Sequence, residues 1–300
     1  MIDTPLVSII TPTFNRAKDY LPETIDSVLS QDYPNFEYIV IDDGSTDNTQ
    51  ALLASYNDPR LTWYTHENQG VIYTVNKGFQ LAKGEFITVV NSDDPLLPGY
   101  ISKIISYMIK NPDLLAVYPD WIMIDDQSKE ICHVITYEFN YIDMISRYYC
   151  FPGPGTMLRR CVFDLVPGYN EKYPHIFDYE FYLRVGIHGD FSRYPETLAT
   201  YRQHPNTITS QGKQALIDER FKMLHEFYAQ KDLPLAIQKT KRQAFSNAHF
   251  IAGLNYLHKN RTKARRYFLN AIRWYPLRCA RNAYPPGKSL KLIWKTILGI

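Results

Sequence analysis

Over its first 120 residues the chain alternates short apolar runs with segments whose apolar residues recur at helical spacing. That alternation restricts the fold more than any other feature of the sequence. Leu6 to Ile10, Phe36 to Ile41, Leu61 to Thr65 and Glu85 to Val90 read as strands. Between them, Leu21, Ile25, Val28 and Leu29 share one helical face behind an early Pro22, and Ile72, Val75, Phe79 and Leu81 share another. Ser45 or Asp47 is placed to cap a helix running to about Tyr56. The fourth strand is apolar from Phe86 onward, as a strand covered on both faces is. Strand–helix alternation predicts an α/β fold, with a mostly parallel sheet flanked by helices and right-handed crossovers.

Beyond residue 111 the pattern mixes. Val117 to Ile124 reads as a strand, and Phe151-Pro-Gly-Pro-Gly155 as a turn followed by Thr156-Met157-Leu158 and a helix start. Asp178 to Gly186 reads as a helix. From Lys213 the chain is mainly helical, with a helix–turn–helix between Ala244 and Pro276. Charge divides the chain in the same place: residues 1–210 carry 15 Lys and Arg against 27 Asp and Glu, whereas residues 211–300 carry 18 against 4. After Asp232 there is no acid at all. We therefore expect a domain over 1–210 and a basic, mainly helical C-terminal region over 211–300.

The cysteines, Cys132, Cys150, Cys161 and Cys279, form no CxxC pair and no zinc pattern, which fits reduced thiols. No secretory leader and no apolar stretch of about 20 residues is visible, so a cytoplasmic location is expected.

Ligands of open α/β sheets bind at the carboxyl ends of the strands. Three polar motifs fall there: Thr13-Phe14-Asn15 after the first strand, Asp42-Asp43-Gly44-Ser45 after the second and Asp93-Asp94 after the fourth. Paired carboxylates supply the oxygen donors that Mg²⁺ and Mn²⁺ take beside substrate phosphates. Each acidic motif also has a purely structural reading, as a turn or cap ahead of a helix; Pro95, Pro98 and a helix from Tyr100 follow Asp93-Asp94 directly.

Taken together, the motifs carry more. Val7-Ser-Ile-Ile-Thr-Pro-Thr-Phe-Asn-Arg16, Ile41-Asp-Asp-Gly-Ser-Thr-Asp47, Glu67-Asn-Gln-Gly70, Asn76-Lys77-Gly78 with Ala82-Lys-Gly-Glu-Phe-Ile87, and Asn91-Ser-Asp-Asp94 stand in an order that resembles the family 2 glycosyltransferases of GT-A fold. The resemblance covers about residues 5–210. It implies an inverting transfer from a nucleotide-sugar donor, with Mn²⁺ or Mg²⁺ as cofactor. By the same resemblance, Pro12, Thr13, Asn15 and Asp43 line the nucleoside pocket and Lys77 approaches the diphosphate. Asp93 sits at the ribose or metal, and Asp94 is the principal metal ligand. Asp178, opening Phe177-Asp-Tyr-Glu-Phe-Tyr-Leu-Arg184, matches the catalytic base, with Glu180 second to it; many members carry an acid where this chain has Phe177. Tyr201-Arg-Gln-His204 matches the end of the family's catalytic domain and offers His204 as a further metal or diphosphate ligand. The sugar and acceptor are not encoded in these motifs; a glycan or lipid-linked hydroxyl is the expected acceptor class.

In the tail, Leu290, Ile293, Trp294, Ile297 and Leu298 share one helical face, and Lys288, Lys291 and Lys295 lie opposite. Such a helix suits an anionic membrane surface through residues 280–300, or docking on the acidic first part of the chain; the former gives a peripheral enzyme on the inner membrane face. Other classes fit less well. A nucleotidyltransferase needs a glycine- and basic-rich phosphate loop that Thr11-Pro-Thr-Phe-Asn15 lacks. A non-catalytic sugar-nucleotide-binding scaffold leaves Asp43, Asp93, Asp94 and Asp178 without a purpose. No nucleic-acid-binding motif accompanies the positive tail.

Overall fold

A computed structural model describes residues 4–204, 213–275 and 295–296. The chain divides into two compact units, one formed by residues 1–139 and 151–207, the other by Asn140–Cys150 and 208–300.

The first unit is built on one sheet of eight strands: β1 (Val7–Thr13), β2 (Phe36–Asp42), β3 (Leu61–Thr65), β4 (Phe86–Val89), β5 (Ala116–Ile124), β6 (Glu130–Val134), β7 (Met157–Arg159) and β8 (Phe191–Arg202). The order is β3-β2-β1-β4-β7-β5-β6, with β8 paired to β5. Pairings among β1, β2, β3 and β4 are parallel, as is β5 with β8, whereas β7 and β6 run antiparallel to their neighbours. The sheet is therefore mixed at one side, where the sequence indicates a turn and a helix start around Thr156 but gives no sign of β7 as a bridging strand.

The first strand runs past Thr11-Pro12, where the sequence reading ended it. Leu6 and Ile10 carbonyls accept from the β4 side of the strand (Glu85 N and Val90 N), so by two-residue alternation the nitrogen of Pro12 also faces that side. β4 pairs with β1 only through Ile10, so the missing N–H of Pro12 costs no ladder bond, while Thr11 to Thr13 stay in register with β2.

Alternate residues of the strands supply two apolar layers. Val7, Ile9, Tyr38, Val40 and Phe86 pack under α1 (Leu21–Leu29), α2 (Thr49–Ser55) and α4 (Tyr100–Lys110). Ile10, Ile39, Ile41 and Ile87 pack under α3 (Val71–Leu81), with α6 (Val162–Leu165) contributing Phe163. A further helix, α7 (Phe177–Gly186), starts one residue before its expected position.

The second unit holds α5 (Tyr141–Arg147), α8 (Lys213–Phe227), α9 (Leu235–Gln238), α10 (Lys241–Tyr256) and α11 (Arg261–Trp274). The helix–turn–helix expected over Ala244 to Pro276 is the α10–α11 pair, closed by Phe250, Leu257, Ala264, Phe268 and Ala271. Asn260 caps α11, its side chain accepting from Lys263 N at 2.9 Å. Asn247 Nδ2 donates to Ser146 O at 2.6 Å, fastening α5, a segment from within the first 210 residues, to α10. Apart from Lys295 and Thr296, the tail expected to be amphipathic lies outside the described residues. Among those described, no helix is long and apolar enough to cross a membrane.

Candidate active site

The parallel strands end side by side, and their polar extensions interlock. Asp43 N donates to Thr13 O at 2.8 Å, carrying the β1–β2 ladder one step beyond the sheet. The Asp43 carboxylate then accepts from two successive backbone amides, Gln69 N at 2.8 Å and Gly70 N at 2.9 Å, while its carbonyl accepts from Asn68 Nδ2 at 3.0 Å. Asp43 thus fastens the turn that enters α3, and each of its oxygens keeps lone-pair capacity for a further donor. Gly44 completes this junction. Its φ of +74° is one that favours glycine, and a Cβ there would lie 2.7 Å from Asn68 N.

Thr13 is buried, and among the described residues its Oγ1 has no hydrogen-bond partner, a polar atom at the strand end that a bound ligand can satisfy. Asn15 stands at φ 53° and is held by two contacts: its amide donates to Ser45 Oγ at 2.8 Å, and its Oδ1 accepts from Thr46 N at 2.8 Å. It therefore ties the β1 loop to the β2 loop. Pro12 is buried within β1, and Lys77, half-buried on α3, makes no ion pair among the described residues. Asp42 serves the fold: it accepts from Ser45 N, Gln50 Nε2 and Thr65 Oγ1. Asn48, rather than Ser45 or Asp47, occupies the N-cap position of α2, although Asp47 Oδ1 accepts from Thr49 N at 3.0 Å and so assists the first turn.

At the end of β4 the two aspartates differ. Asp94 is 5 % exposed, and both its oxygens are engaged, Oδ1 by Arg202 N at 2.7 Å and Oδ2 by Asn91 Nδ2 at 2.9 Å. Burial, reinforced by the charge of Asp93, pushes its pKa up to about 7. These contacts hold the Asp94 carboxylate at the start of the loop, and each of its oxygens, like those of Asp43, accepts one bond and keeps a further lone pair. Asp93 is the more open of the pair. Its Oδ2 lies 2.9 Å from His204 Nε2, and His204 in turn packs on Tyr20 at a ring-centroid distance of 5.2 Å. The carboxylates of Asp93 and Asp94 are of the oxygen-donor type that Mn²⁺ and Mg²⁺ take. Among the described residues no group of three or more His, Cys, Asp or Glu is arranged to hold an ion.

Arg202, to which the sequence reading gave no role, organises this corner. It is 1 % exposed, and its guanidinium donates to Asp93 O (2.9 Å), Asp125 O (2.9 Å), Ser128 Oγ (2.9 Å) and Glu23 Oε2 (2.6 Å). It also lies over the Tyr20 ring, 4.5 Å from the centroid. One side chain thus joins the Asp93 loop, the β5–β6 turn and the first turn of α1. A basic residue closing the long strand β8 was the available signal.

Asp178 lies in the first turn of α7, exposed to solvent, its Oδ1 accepting from Tyr179 N at 2.7 Å. The protein around it nevertheless desolvates the carboxyl enough to raise its pKa above the ordinary aspartate value. Glu180, the second choice for a base, is buried in a two-point pair with Arg184, with Nε–Oε1 and Nη2–Oε2 both at 2.9 Å. Its oxygens are committed to the fold.

Residues 8–163 match the sequence profile of Glycosyl transferase family 2. The chain belongs to glycosyl transferase family 2. An uncharacterized glycosyltransferase of Haemophilus influenzae is 32% identical over 231 residues, covering 70% of this chain and 69% of that protein. A putative teichuronic acid biosynthesis glycosyltransferase of Bacillus subtilis, TuaG, is 38% identical over 109 residues, 35% of this chain and 43% of TuaG. The fold is that of S. aureus TarS, solved in complex with UDP-GlcNAc (TM-score 0.68, 19% identity, 89% of this chain and 79% of that one). It is also that of the mannosyltransferase PcManGT of Pyrobaculum calidifontis, solved with GDP-Man and Mn²⁺ (TM-score 0.61, 15% identity, 100% and 82%). The enzyme is a glycosyltransferase of GT-A fold, as the ordered motifs imply.

Proposed function

We propose that this glycosyltransferase moves a sugar, with inversion, from a nucleoside-diphosphate donor to a hydroxyl of a glycan or lipid-linked acceptor in cell-envelope polysaccharide synthesis. The observation that carries the reading is the Asp93–His204 pair, 2.9 Å apart, at the same sheet edge as the Asp43 anchor. UDP-sugar is the favoured donor class; TarS was solved with UDP-GlcNAc, PcManGT with GDP-Man, and TuaG is named for teichuronic acid biosynthesis.

In this reading Pro12, Thr13, Asn15 and Asp43 hold the nucleoside, with Thr13 Oγ1 and the remaining lone pairs of Asp43 meeting its polar edge. Lys77 lies along the diphosphate. Asp94, with Asp93 and His204 beside it, would hold Mn²⁺ or Mg²⁺. The bound ion supplies electrostatic stabilisation of the diphosphate leaving group. Asp178 takes the proton from the acceptor hydroxyl as it attacks the anomeric carbon. Its raised pKa brings the carboxylate closer in basicity to the group it deprotonates. Residues 1–210 make up the catalytic domain and 211–300 an accessory basic region. The latter, through residues 280–300, meets an anionic membrane surface on the cytoplasmic side.

Thermal-shift titration with UDP-glucose, UDP-GlcNAc and GDP-mannose, each with Mn²⁺ or EDTA, tests the donor and cofactor assignment. One nucleotide sugar should raise the melting temperature, and only with the ion, because a ligand bound to the native state alone adds to its stability. A shift of equal size in EDTA would refute metal dependence.

A further inference from the structure

We propose that Asn76 is a positioning residue: it locks the donor-side helix α3 to the turn that carries the base helix α7. The inference rests on the assignment of Asp178 as the base.

Asn76 Nδ2 donates to Tyr169 O at 2.8 Å, and Tyr169 N donates back to Asn76 Oδ1 at 2.7 Å. One side-chain amide therefore reads both backbone groups of a residue 93 positions away, as a neighbouring strand would. The contact also demands a glycine next to it, since a Cβ on Gly168 would stand 2.3 Å from Asn76 Oδ1. On its other side the same turn is held by α7: Arg184 Nη1 donates to Pro167 O and Nη2 to Gly168 O, each at 2.7 Å. Glu180 fixes Arg184 through its two-point pair and accepts from Asn170 Nδ2 at 3.3 Å. Below the polar lock, Tyr169 packs on Phe79 of α3 and on Phe177 and Phe181 of α7, at centroid distances of 5.4, 4.9 and 5.2 Å.

The helix so anchored starts at the amides of Gln69 and Gly70 that hold Asp43, and it carries Lys77 one residue beyond Asn76. The α7 helix opens with Phe177 and Asp178. Asn76 thus links the element that receives the donor to the element that bears the base. Misplacing a catalytic group by about 1 Å costs roughly 10²-fold in rate, so loosening this link should act on turnover rather than on donor binding.

The test uses Asn76→Asp, which keeps the acceptor for Tyr169 N but sets an oxygen against Tyr169 O, and Gly168→Ala, which breaks the same lock from the other side. Nucleoside-diphosphate release is followed with the donor that the wild type turns over fastest among UDP-glucose, UDP-GlcNAc and GDP-mannose, and UDP affinity is measured with Mn²⁺. Each variant should lower kcat at least tenfold and change UDP affinity less than threefold. Amide exchange should quicken at Tyr169 and in the first turn of α7, while Gln69 and Gly70 stay protected. In an Asp178→Asn background, Asn76→Asp should add less than a twofold loss. An equal loss in both backgrounds, a parallel fall in UDP affinity, or unchanged exchange at Tyr169 would overturn the proposal. Wild-type turnover by Asp178→Asn alone would instead remove the base assignment.

Discussion

The Nε2 of His204 lies 2.9 Å from Oδ2 of Asp93, across 111 residues of sequence. The pair exists because β8 runs beside β5 and ends at the carboxyl edge of the sheet, where the backbone of Arg202 holds Asp94 and its guanidinium holds the carbonyl of Asp93. The two acids after β4 thereby differ in setting: Asp94 is buried, each oxygen accepting one bond, and Asp93 is part-exposed beside a buried imidazole.

That division predicts separable phenotypes. Asp93→Asn and His204→Ala should each weaken Mn²⁺ activation by about 10–100-fold with little change in melting temperature. Asp94→Asn should also weaken Mn²⁺ activation and, unlike the other two, disturb the loop, because its single amide oxygen cannot accept from both Arg202 N and Asn91 Nδ2. Mn²⁺ titrations and thermal unfolding of the three variants distinguish the cases.

Arg202→Met should destabilise the fold by about 2 kcal/mol, since the buried guanidinium's bonds to the part-buried carbonyls of Asp93 and Asp125 are both lost. Loss of the shared donor should also free the β5–β6 turn from α1, seen as faster amide exchange at Ser128. Denaturant unfolding measures the first effect and hydrogen exchange the second.

The raised pKa of Asp178 sets the acid limb of the rate profile. A base works only when ionised, so kcat should fall as the pH drops through a midpoint above the ordinary aspartate value of about 4. A kcat–pH profile with a metal-saturated enzyme locates that limb, which should lie at the same pH in Asn15→Ala, a variant altered only on the nucleoside side.

A second titration belongs to the helical unit. His249 packs on Phe221 at a ring-centroid distance of 4.5 Å, its buried Nδ1 has no partner among the described residues, and burial, aided by the charge of His225, lowers its pKa to about 4. The unfolded chain, with an ordinary histidine pKa of about 6.5, then binds more protons than the native state between those values. The stability contributed by neutral His249 should be complete above about pH 6.5 and be lost as the pH falls towards 4. Replacing it by Phe should flatten the melting temperature over that window; an unchanged slope would show that His249 is not the group responsible.

Much of this arrangement was legible in the sequence where local chemistry decides it. The strand–helix alternation of the first 120 residues and the acids at strand ends follow from patterns within a few residues, and β3 falls on Leu61–Thr65 as read. Less legible was whatever depends on distant pairing. Nothing near Asp94 says that the amide of Arg202 will occupy one of its oxygens, and nothing near Glu180 separates a base from the partner of Arg184. The short β7 and the long β8 were missed because their pairing, not their composition, makes them strands: β7 is three residues long, and β8 carries Arg193, Pro195 and Glu196 amid its apolar positions. Asn140–Cys150 joins the helical unit for the same reason, through Asn247 on Ser146.

The central claim is that Asp178 activates the acceptor while Asp94, Asp93 and His204 serve the donor's metal. Steady-state release of nucleoside diphosphate by wild type and Asp178→Asn, paired with calorimetric UDP binding in Mn²⁺, tests it most directly. The account predicts that Asp178→Asn loses about 10²–10⁴-fold in kcat, the range for removal of a general base, and binds UDP with wild-type affinity. Turnover within a few-fold of wild type would contradict it.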